Sequence, residues 1–154
     1  MSDFAQTLAT LSRVVTARDI VMGAAASRDW QPQHHDHDHA LAMNLPGIIM
    51  NAPTQTGWLH GYALQWAGQG ARIGRWRLKM NRPVCPGMTV NLGGTVTQRK
   101  PAWDGFEWVW LDLEMWTSGE VCSSMAMLLC RPNEPNRTAL AIGDAEWVCP
   151  ALLG

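Results

Sequence analysis

The chain has 154 residues, a length that suits one domain with a substantial buried core. Its formal net charge is -1 at pH 7, which excludes the strongly basic surface typical of nucleic-acid binding. No uncharged apolar run reaches the roughly 18 residues of a membrane-spanning helix, and the first residues lack the pattern of a secretory signal. The four cysteines form no CxxC pair, so we expect free thiols and a cytoplasmic protein without membrane or nucleic-acid partners.

The first half of the chain predicts one short strand and several helices. We expect the strand at residues 12–16 and a helix at 19–27, whose first turn is acidic. A polar segment and a second short helix follow. Residues 53–67 carry large apolar side chains at helical spacing and predict the longest helix. Its glycines, Gly57 and Gly61, would allow close packing against a sheet.

The second half predicts an antiparallel sheet. Residues 73–80 alternate between basic and apolar side chains, and further strands are expected at 88–98, 106–116 and 121–130. Short turns join them, and the pair Gly93-Gly94 is expected to form a bulge. The elements together predict an α+β fold in which one long central helix is wrapped by a curled antiparallel sheet of about five strands.

The strand at 106–116 predicts two different faces for the sheet. One face would pack on the helix through Val109, Leu111, Leu113 and Met115. The other carries large aromatic side chains, namely Phe106, Trp108 and Trp110. Exposed tryptophans of this number indicate a protein interface, unless the C-terminal residues cover them, and both interpretations remain open.

The segment HHDHDH at residues 34–39 holds four of the five histidines. A metal site would need several of them to converge on one ion, but neighbouring histidines such as His34 and His35 point in different directions in regular structure. The spacing of His35 and His39 resembles HExxH without its glutamate, and no distant Cys–His pair completes a tetrahedral set. We therefore expect no specific metal site.

Asp29 and His34 form the more promising pair. They are five residues apart and separated by Pro32, which ends the preceding helix and turns the chain. A carboxylate and an imidazole that converge in this way can hold and activate a water molecule, with the carboxylate as general base. The pattern indicates water-activating chemistry at this loop.

These residues resemble a known signature. Asp29-Trp-Gln-Pro-Gln-His34, followed by five residues and Ala40, is similar to Gly-Asp-x-Asn-Pro-aliphatic-His-x5-Ala of MaoC-like (R)-specific enoyl-CoA hydratases. The resemblance implies a single hotdog fold over residues 1–131, with 132–154 as a C-terminal extension. The chain departs from the pattern at Arg28, where the signature has glycine, and at Asn51, where simple hydratases also carry glycine.

Further details resemble the small hydratase subunit of the heteromeric enzymes of steroid side-chain degradation. They are Arg28-Asp29-Trp-Gln, His34-His35-Asp36, Ile-Met-Asn51, Thr56-Gly57 and Trp66-Ala67-Gly68. The resemblance implies a steroid or bile-acid side-chain enoyl-CoA as substrate, with no cofactor beyond the CoA thioester. It also implies a second, larger MaoC-like subunit, often with a fused DUF35 domain, in a heterodimer or heterotetramer.

The resemblance also implies a role for each candidate residue. Asp29 and His34 would activate the water, and the backbone N–H groups of Asn51 and Ala52 would bind the thioester oxygen. His35 and Gln31 would support the loop. A basic run is a candidate for CoA phosphates, although charges that alternate along a strand also describe a solvated face; it consists of Arg72, Arg75, Arg77, Lys79 and Arg82.

Alternatives remain at this point. The chain could be a hotdog scaffold subunit with little activity of its own, or a hydratase for a non-steroid acyl-CoA. The Asp29–His34 spacing argues against a hotdog thioesterase, since those enzymes lack this pair. The sequence leaves open the acyl chain, the stereochemistry of hydration, and the choice between a homo-oligomer and a heteromer.

Overall fold

An antiparallel sheet of six strands forms the frame of the chain, whose computed structural model describes residues 6–153. The strands are β1 (Gln6–Thr7), β2 (Leu11–Val14), β3 (Arg72–Met80), β4 (Thr89–Pro101), β5 (Phe106–Thr117) and β6 (Glu120–Pro132). The helices are α1 (Ala17–Ala26), α2 (His37–Ala42) and α3 (Ala52–Ala67), with short 3-10 turns at Pro32–His34 and Ala139–Ala141. None of the helices within this range is long and apolar enough to cross a membrane.

The strand order is β1–β4–β5–β6–β3, with β2 pairing to β4 beside β1. All pairs are antiparallel, and β4, β5 and β6 are the long central strands. The predicted α+β layout, one long helix beside an antiparallel sheet, is confirmed. The sheet has six strands because a short strand that was not predicted, β1, precedes β2, the strand expected at residues 12–16, and both pair with β4.

Local sequence signals explain where the helices begin. Thr16 caps α1 in a reciprocal arrangement: its hydroxyl accepts from the N–H of Asp19, whose carboxylate accepts from the N–H of Thr16. Asn51 caps α3, with Pro53 in the first turn, and the helix ends before Gly68, whose φ is 95°. These caps satisfy N–H groups that the helices themselves cannot use.

The apolar core lies between α3 and one face of the sheet. Leu59 and Ala63 of α3 are fully buried there, together with the inward side chains of β5. The latter are the four predicted from alternation, Val109, Leu111, Leu113 and Met115. This face of the sheet is confirmed as the face that packs on the helix.

The opposite face of the sheet is covered by the chain's own C-terminal residues. Phe106, Trp108 and Trp110 are buried in a second cluster with Ala139 and Trp147. The indole N–H of Trp110 donates to the carbonyl of Ala151 at 3.0 Å. Of the two interpretations left open by the sequence, the structure therefore shows the C-terminal cover.

Two arginines of β3 hold this C-terminal segment, residues 133–153. Arg72 donates to the carbonyl of Ile142 at 2.9 Å, and its guanidinium lies 3.9 Å from the centre of the Trp147 ring. Arg75 donates to the carbonyl of Pro150 at 2.8 Å. Both arginines thus have a structural role that the sequence analysis did not predict. The division into a domain at 1–131 and an extension at 132–154 stays a prediction.

Replacing Trp147 by alanine should loosen this segment, because the ring stacks on Trp103 at 5.7 Å between centroids and also contacts Arg72. We expect Trp147→Ala to lower the free energy of unfolding by about 1–3 kcal/mol. Denaturant unfolding followed by fluorescence would measure the change. Val148→Ala is the matched control, since Val148 is 75% exposed in the same segment. Equal stability of the two variants would contradict the packing role of Trp147.

Two sequence predictions about glycines are wrong. Gly93 and Gly94 pair in regular register with β5, and the irregularity in this ladder lies between Val96 and Gln98. Their lack of a side chain is needed for space, since a methyl group at Gly93 would come 2.7 Å from the Trp116 ring. Gly57 and Gly61 do not pack on the sheet: both are exposed, with no atom within 4 Å of the position a methyl group would take.

Candidate active site

Asp29 and His34 lie together at the end of α1. The Oδ2 atom of Asp29 is 3.2 Å from Nε2 of His34. The His34 side chain is 7% exposed and that of Asp29 is 20% exposed, so the carboxylate faces solvent while the imidazole is enclosed. The sequence prediction that these two side chains converge is confirmed as geometry, and their catalytic role stays a prediction.

A left-handed residue turns the chain so that Asp29 reaches this place. Arg28 has a φ of 55°, and the N–H of Asp29 donates back to the carbonyl of Ala24 at 2.9 Å. A residue with a side chain adopts this conformation at a cost of about 1–2 kcal/mol, whereas glycine adopts it freely. Arg28 therefore holds a backbone conformation that favours glycine, the residue that the hydratase signature has at this position.

The imidazole of His34 is fixed by the backbone. Its Nδ1 lies 2.7 Å from the carbonyl oxygen of Ile49, and the N–H of Ile49 donates to the carbonyl of Gln33 at 3.0 Å. Because a carbonyl only accepts, Nδ1 carries a hydrogen and donates it. Nε2 is consequently the ring atom that faces Asp29 and is available for proton transfer.

The side chain of Asn51 joins three parts of the site. Its Nδ2 donates to Oδ2 of Asp29 at 3.0 Å and to the hydroxyl of Ser27 at 2.9 Å. Its Oδ1 accepts from the N–H of Thr54 at 3.1 Å and so caps α3. The helices approach closely here, since a methyl group at Gly23 of α1 would overlap the Thr54 side chain. The sequence analysis predicted a role for the backbone N–H of Asn51 and none for its side chain. The position of this asparagine just before a helix could have predicted that the side chain caps the helix.

These contacts lower the pKa of Asp29. The hydrogen bond from Asn51 is the largest cause, burial opposes it, and the N–H of Gln31 and the nearby His34 lower it further. Asp29 is therefore ionised at neutral pH, as a general base must be. Because its pKa is depressed on folding, its contacts stabilise the fold above the ordinary aspartate range, and this contribution is lost as the pH falls through the depressed pKa.

The start of α3 provides backbone donors beside this pair. Across residues 6–153, no protein acceptor is found for the N–H groups of Asn51 and Ala52. They lie at the N-terminus of a 16-residue helix, where the helix dipole favours negative charge. These are the two donors predicted to bind the thioester oxygen, and that role stays a prediction.

The loop residues expected to support the site make contacts within the loop. Nε2 of His35 lies 3.2 Å from the carbonyl oxygen of Trp30. Gln31 accepts from the side-chain amide of Gln33 at 2.6 Å, and its N–H lies 3.4 Å from Oδ1 of Asp29. These three contacts join residues of the loop around Asp29 and His34, and the supporting role of His35 and Gln31 stays a prediction.

The other members of HHDHDH lie on the surface. His37 and His39 are exposed, and Asp36 caps α2 by accepting from the N–H of His39 at 3.0 Å. In the part of the chain that the structure describes, no three histidine, cysteine, aspartate or glutamate side chains converge as metal ligands would. In this segment, Asp36 thus has a structural role at the start of α2.

The basic run is divided by the fold. Arg72 and Arg75 contact the C-terminal segment, as described above, and Arg82 pairs with Glu120 at 3.0 Å on the surface. Arg77 and Lys79 are exposed on β3. Arg75 is exposed as well, although its guanidinium donates to the C-terminal segment. A role of the basic run in binding CoA stays a prediction.

Comparison with known sequences finds one family model and one curated hydratase subunit similar to the chain. A family model described as MaoC like domain matches residues 3–105. The beta subunit of 3-oxo-4,17-pregnadiene-20-carboxyl-CoA hydratase from Mycobacterium tuberculosis (strain ATCC 25618 / H37Rv) is 40% identical over 78 residues. This match covers 51% of the present chain and 60% of the relative, which is less than two thirds of the relative's length.

Solved structures share the fold. The ChsH1-ChsH2 complex from Mycobacterium tuberculosis has a chain that superposes with a TM-score of 0.76 and 27% identity, over 84% of the present chain and 98% of that one. The (R)-hydratase from A. caviae involved in PHA biosynthesis superposes with a TM-score of 0.73 and 22% identity, over 83% and 96% of the two chains. The hotdog fold predicted from the resemblance is confirmed by these neighbours. With two thirds of its residues matched by the family model, the chain belongs to the MaoC-like domain family.

Proposed function

We propose that the chain is the hydratase subunit of an enzyme that adds water across the α,β double bond of a steroid or bile-acid side-chain enoyl-CoA. The observation that carries the proposal is the Asp29–His34 contact of 3.2 Å beside the unpaired donors at the start of α3. The similarity to a steroid hydratase subunit supports the substrate class. A CoA-thioester substrate also suits the cytoplasmic location expected from the free cysteines.

In the proposed reaction, Asp29 and His34 hold one water molecule. Oδ2 of Asp29 already contacts Asn51 and His34, whereas within residues 6–153 Oδ1 receives only the long contact from the Gln31 N–H. Oδ1 is therefore the oxygen best placed to take a proton from the water as its hydroxyl adds to the β-carbon. Nε2 of His34 orients the same water.

The electron pair of the double bond moves toward the thioester, and negative charge develops on its oxygen. The N–H groups of Asn51 and Ala52 meet this charge, and the helix dipole strengthens the interaction. The α-carbon then takes a proton relayed through the Asp29–His34 pair, which returns Asp29 to its ionised form. One hydrogen and one hydroxyl have been added, and no cofactor is consumed.

A second MaoC-like subunit, with a fused DUF35 domain, is the proposed partner in a heterodimer or heterotetramer. One of the solved neighbours is a two-component complex, ChsH1-ChsH2. In the present chain, Gly57 and Gly61 leave an open face on α3, and Trp76 and Met80 on the edge strand β3 are 48% and 52% exposed. An apolar edge and an open helix face are features that a partner subunit would cover.

A hydration assay tests the proposal directly. The purified chain, alone and together with a MaoC-like partner subunit, would be offered a short-chain enoyl-CoA and a steroid enoyl-CoA. We expect loss of the enoyl-thioester absorbance with the steroid substrate in the presence of the partner. Turnover by the complex that is unchanged in Asp29→Asn would contradict the proposal and would assign the chain a scaffold role instead.

A further inference from the structure

Gln55 is an unusual polar residue in the core. It lies one turn into α3 and is 1% exposed. Its Nε2 donates to the carbonyl of Met50 at 3.1 Å, whereas its Oε1 is buried without a partner among the described residues. Burying an amide with one unsatisfied atom opposes folding, so an apolar side chain of the same size would suit the core better. The amide therefore needs an explanation beyond packing.

The direction of this hydrogen bond is fixed by chemistry. The Met50 carbonyl can only accept, so the amide nitrogen of Gln55, and not its oxygen, must face it. The reversed amide would place two oxygens against each other. Gln55 thus acts as a donor to the backbone just before α3.

The carbonyl that Gln55 holds belongs to the peptide unit that carries the N–H of Asn51. A trans peptide is planar, and its C=O and N–H point in opposite directions. Fixing the direction of the Met50 carbonyl therefore fixes the direction of the Asn51 N–H. That N–H is one of the two proposed donors to the thioester oxygen.

The backbone of Gln55 holds the second donor in the same way. Its N–H donates to the carbonyl of Asn51 at 3.2 Å, and that carbonyl shares a peptide unit with the N–H of Ala52. One residue therefore orients both peptide units, the first through its side chain and the second through its backbone.

The preceding peptide is fixed by other residues. The carbonyl of Ile49 lies 2.7 Å from Nδ1 of His34, and the N–H of Met50 donates to the carbonyl of Val84 at 2.8 Å. The peptide between Met50 and Asn51 has only the Gln55 side chain as a partner for its carbonyl within residues 6–153. Its orientation depends on that contact.

We propose that Gln55 is a positioning residue that aims the backbone N–H of Asn51 at the thioester oxygen of the substrate. The inference rests on the proposed hydratase function and adds a residue to it. Gln55 does not touch the substrate; it acts through the peptide that does. Its effect is confined to the transition state, where the oxygen carries negative charge.

Gln55→Met tests the proposal, because methionine keeps the length of the side chain and removes the donor. We expect kcat for hydration to fall by roughly tenfold to a hundredfold, short of the 10²–10³ seen when an oxyanion donor is removed entirely. KM should change little, since the ground-state thioester oxygen carries less charge. The assembly that hydrates the steroid enoyl-CoA with wild-type chain is the one to use, with Gln69→Met, at an exposed glutamine just after this helix, as the control.

A spectroscopic measurement distinguishes a loss of orientation of the Asn51 N–H from a general loosening of the fold. A conjugated dialkylaminoaryl enoyl-CoA absorbs at longer wavelength when its thioester carbonyl is polarised by hydrogen bonds. The bound probe should be red-shifted in wild type and in Gln69→Met, and less so in Gln55→Met. A Gln55→Met assembly with the wild-type kcat and the wild-type shift would overturn the role of Gln55 alone. A wild-type assembly that hydrates no enoyl-CoA would overturn the hydratase proposal and this inference together.

Gln55→Glu provides an independent test if the methionine variant does not fold. A protonated glutamic acid can donate to the Met50 carbonyl, whereas its ionised form repels that carbonyl. Dividing its kcat by that of wild type at each pH removes the pH effects that the two proteins share. We expect this ratio to fall as the pH rises; a ratio independent of pH would overturn the proposal.

Discussion

Replacing Asp29 by asparagine should lower kcat for hydration by a factor of about 10²–10⁴. Asparagine has the same shape, and its amide oxygen can still accept from Nδ2 of Asn51, which is 3.0 Å from Oδ2 in the native site. The fold and the loop should therefore survive, and what is lost is the ability to take a proton from water. Steady-state hydration of the steroid enoyl-CoA by the active assembly measures the effect.

Asp38→Asn is the matched control for this experiment. Asp38 is an exposed residue of α2 and has no side-chain contact with the Asp29–His34 pair. We expect Asp38→Asn to keep the wild-type rate and both variants to keep the wild-type melting temperature within a few degrees. A rate for Asp29→Asn within threefold or so of wild type would remove the carboxylate from the mechanism.

The second large effect should come from replacing Asn51 by aspartate. Both residues cap helices well, so Oδ1 continues to accept from the Thr54 N–H and the stability of α3 changes little. The change replaces the Nδ2 donor to Asp29 with a second carboxylate. Like charges at this distance raise the pKa of the pair and draw a proton between them, which disables the base. We expect kcat/KM at neutral pH to fall by about tenfold or more.

The pH profile identifies the cause of this loss. In wild type the pKa of Asp29 is depressed, mainly by Asn51, so activity that needs the carboxylate is lost only as the pH falls through a low value. In Asn51→Asp the acid limb of kcat/KM should lie at higher pH. Asn81→Asp, at an exposed position, controls for the added charge. An acid limb in the same place as in wild type would show that Asn51 does not set the ionisation of Asp29.

The central part of the site was predictable because it is local in the chain. Asp29 and His34 are five residues apart, and Pro32 allows few conformations between them, so the spacing alone predicts that they converge. Arg28 departs from the hydratase signature, which has glycine at this position. This departure is explained by a backbone conformation, φ 55°, which residue identity does not reveal.

The rest of the site depends on contacts between distant segments. Asn51 reaches Asp29 across 22 residues, and whether its side chain turns inward depends on the angle at which α1 meets α3. The sequence likewise predicts that Gln55 lies in a helix, but it does not predict the hydrogen bond from its side chain to the carbonyl of Met50. Helical spacing predicts which side chains face the core, but it does not predict which backbone carbonyl a buried amide will meet.

The contacts of the basic residues on β3 were also not predictable from local sequence. Alternating charges on β3 favour a solvated face over a phosphate site. Arg72 instead donates to Ile142, a residue 70 positions later in the sequence. No local pattern links the two, since the contact arises only when the C-terminal segment folds back over the sheet.

That fold-back has a consequence for the order in which the protein is made. The strands β4, β5 and β6 leave the ribosome before the C-terminal segment, so the outer face with Trp108 and Trp110 stays uncovered while the rest of the sheet can already form. Residues 133–153 are made after these strands and cover this surface, where Arg72 and Arg75 of the edge strand bind them. During translation, the nascent chain thus exposes this aromatic face to chaperones and to other nascent chains until residues 133–153 emerge.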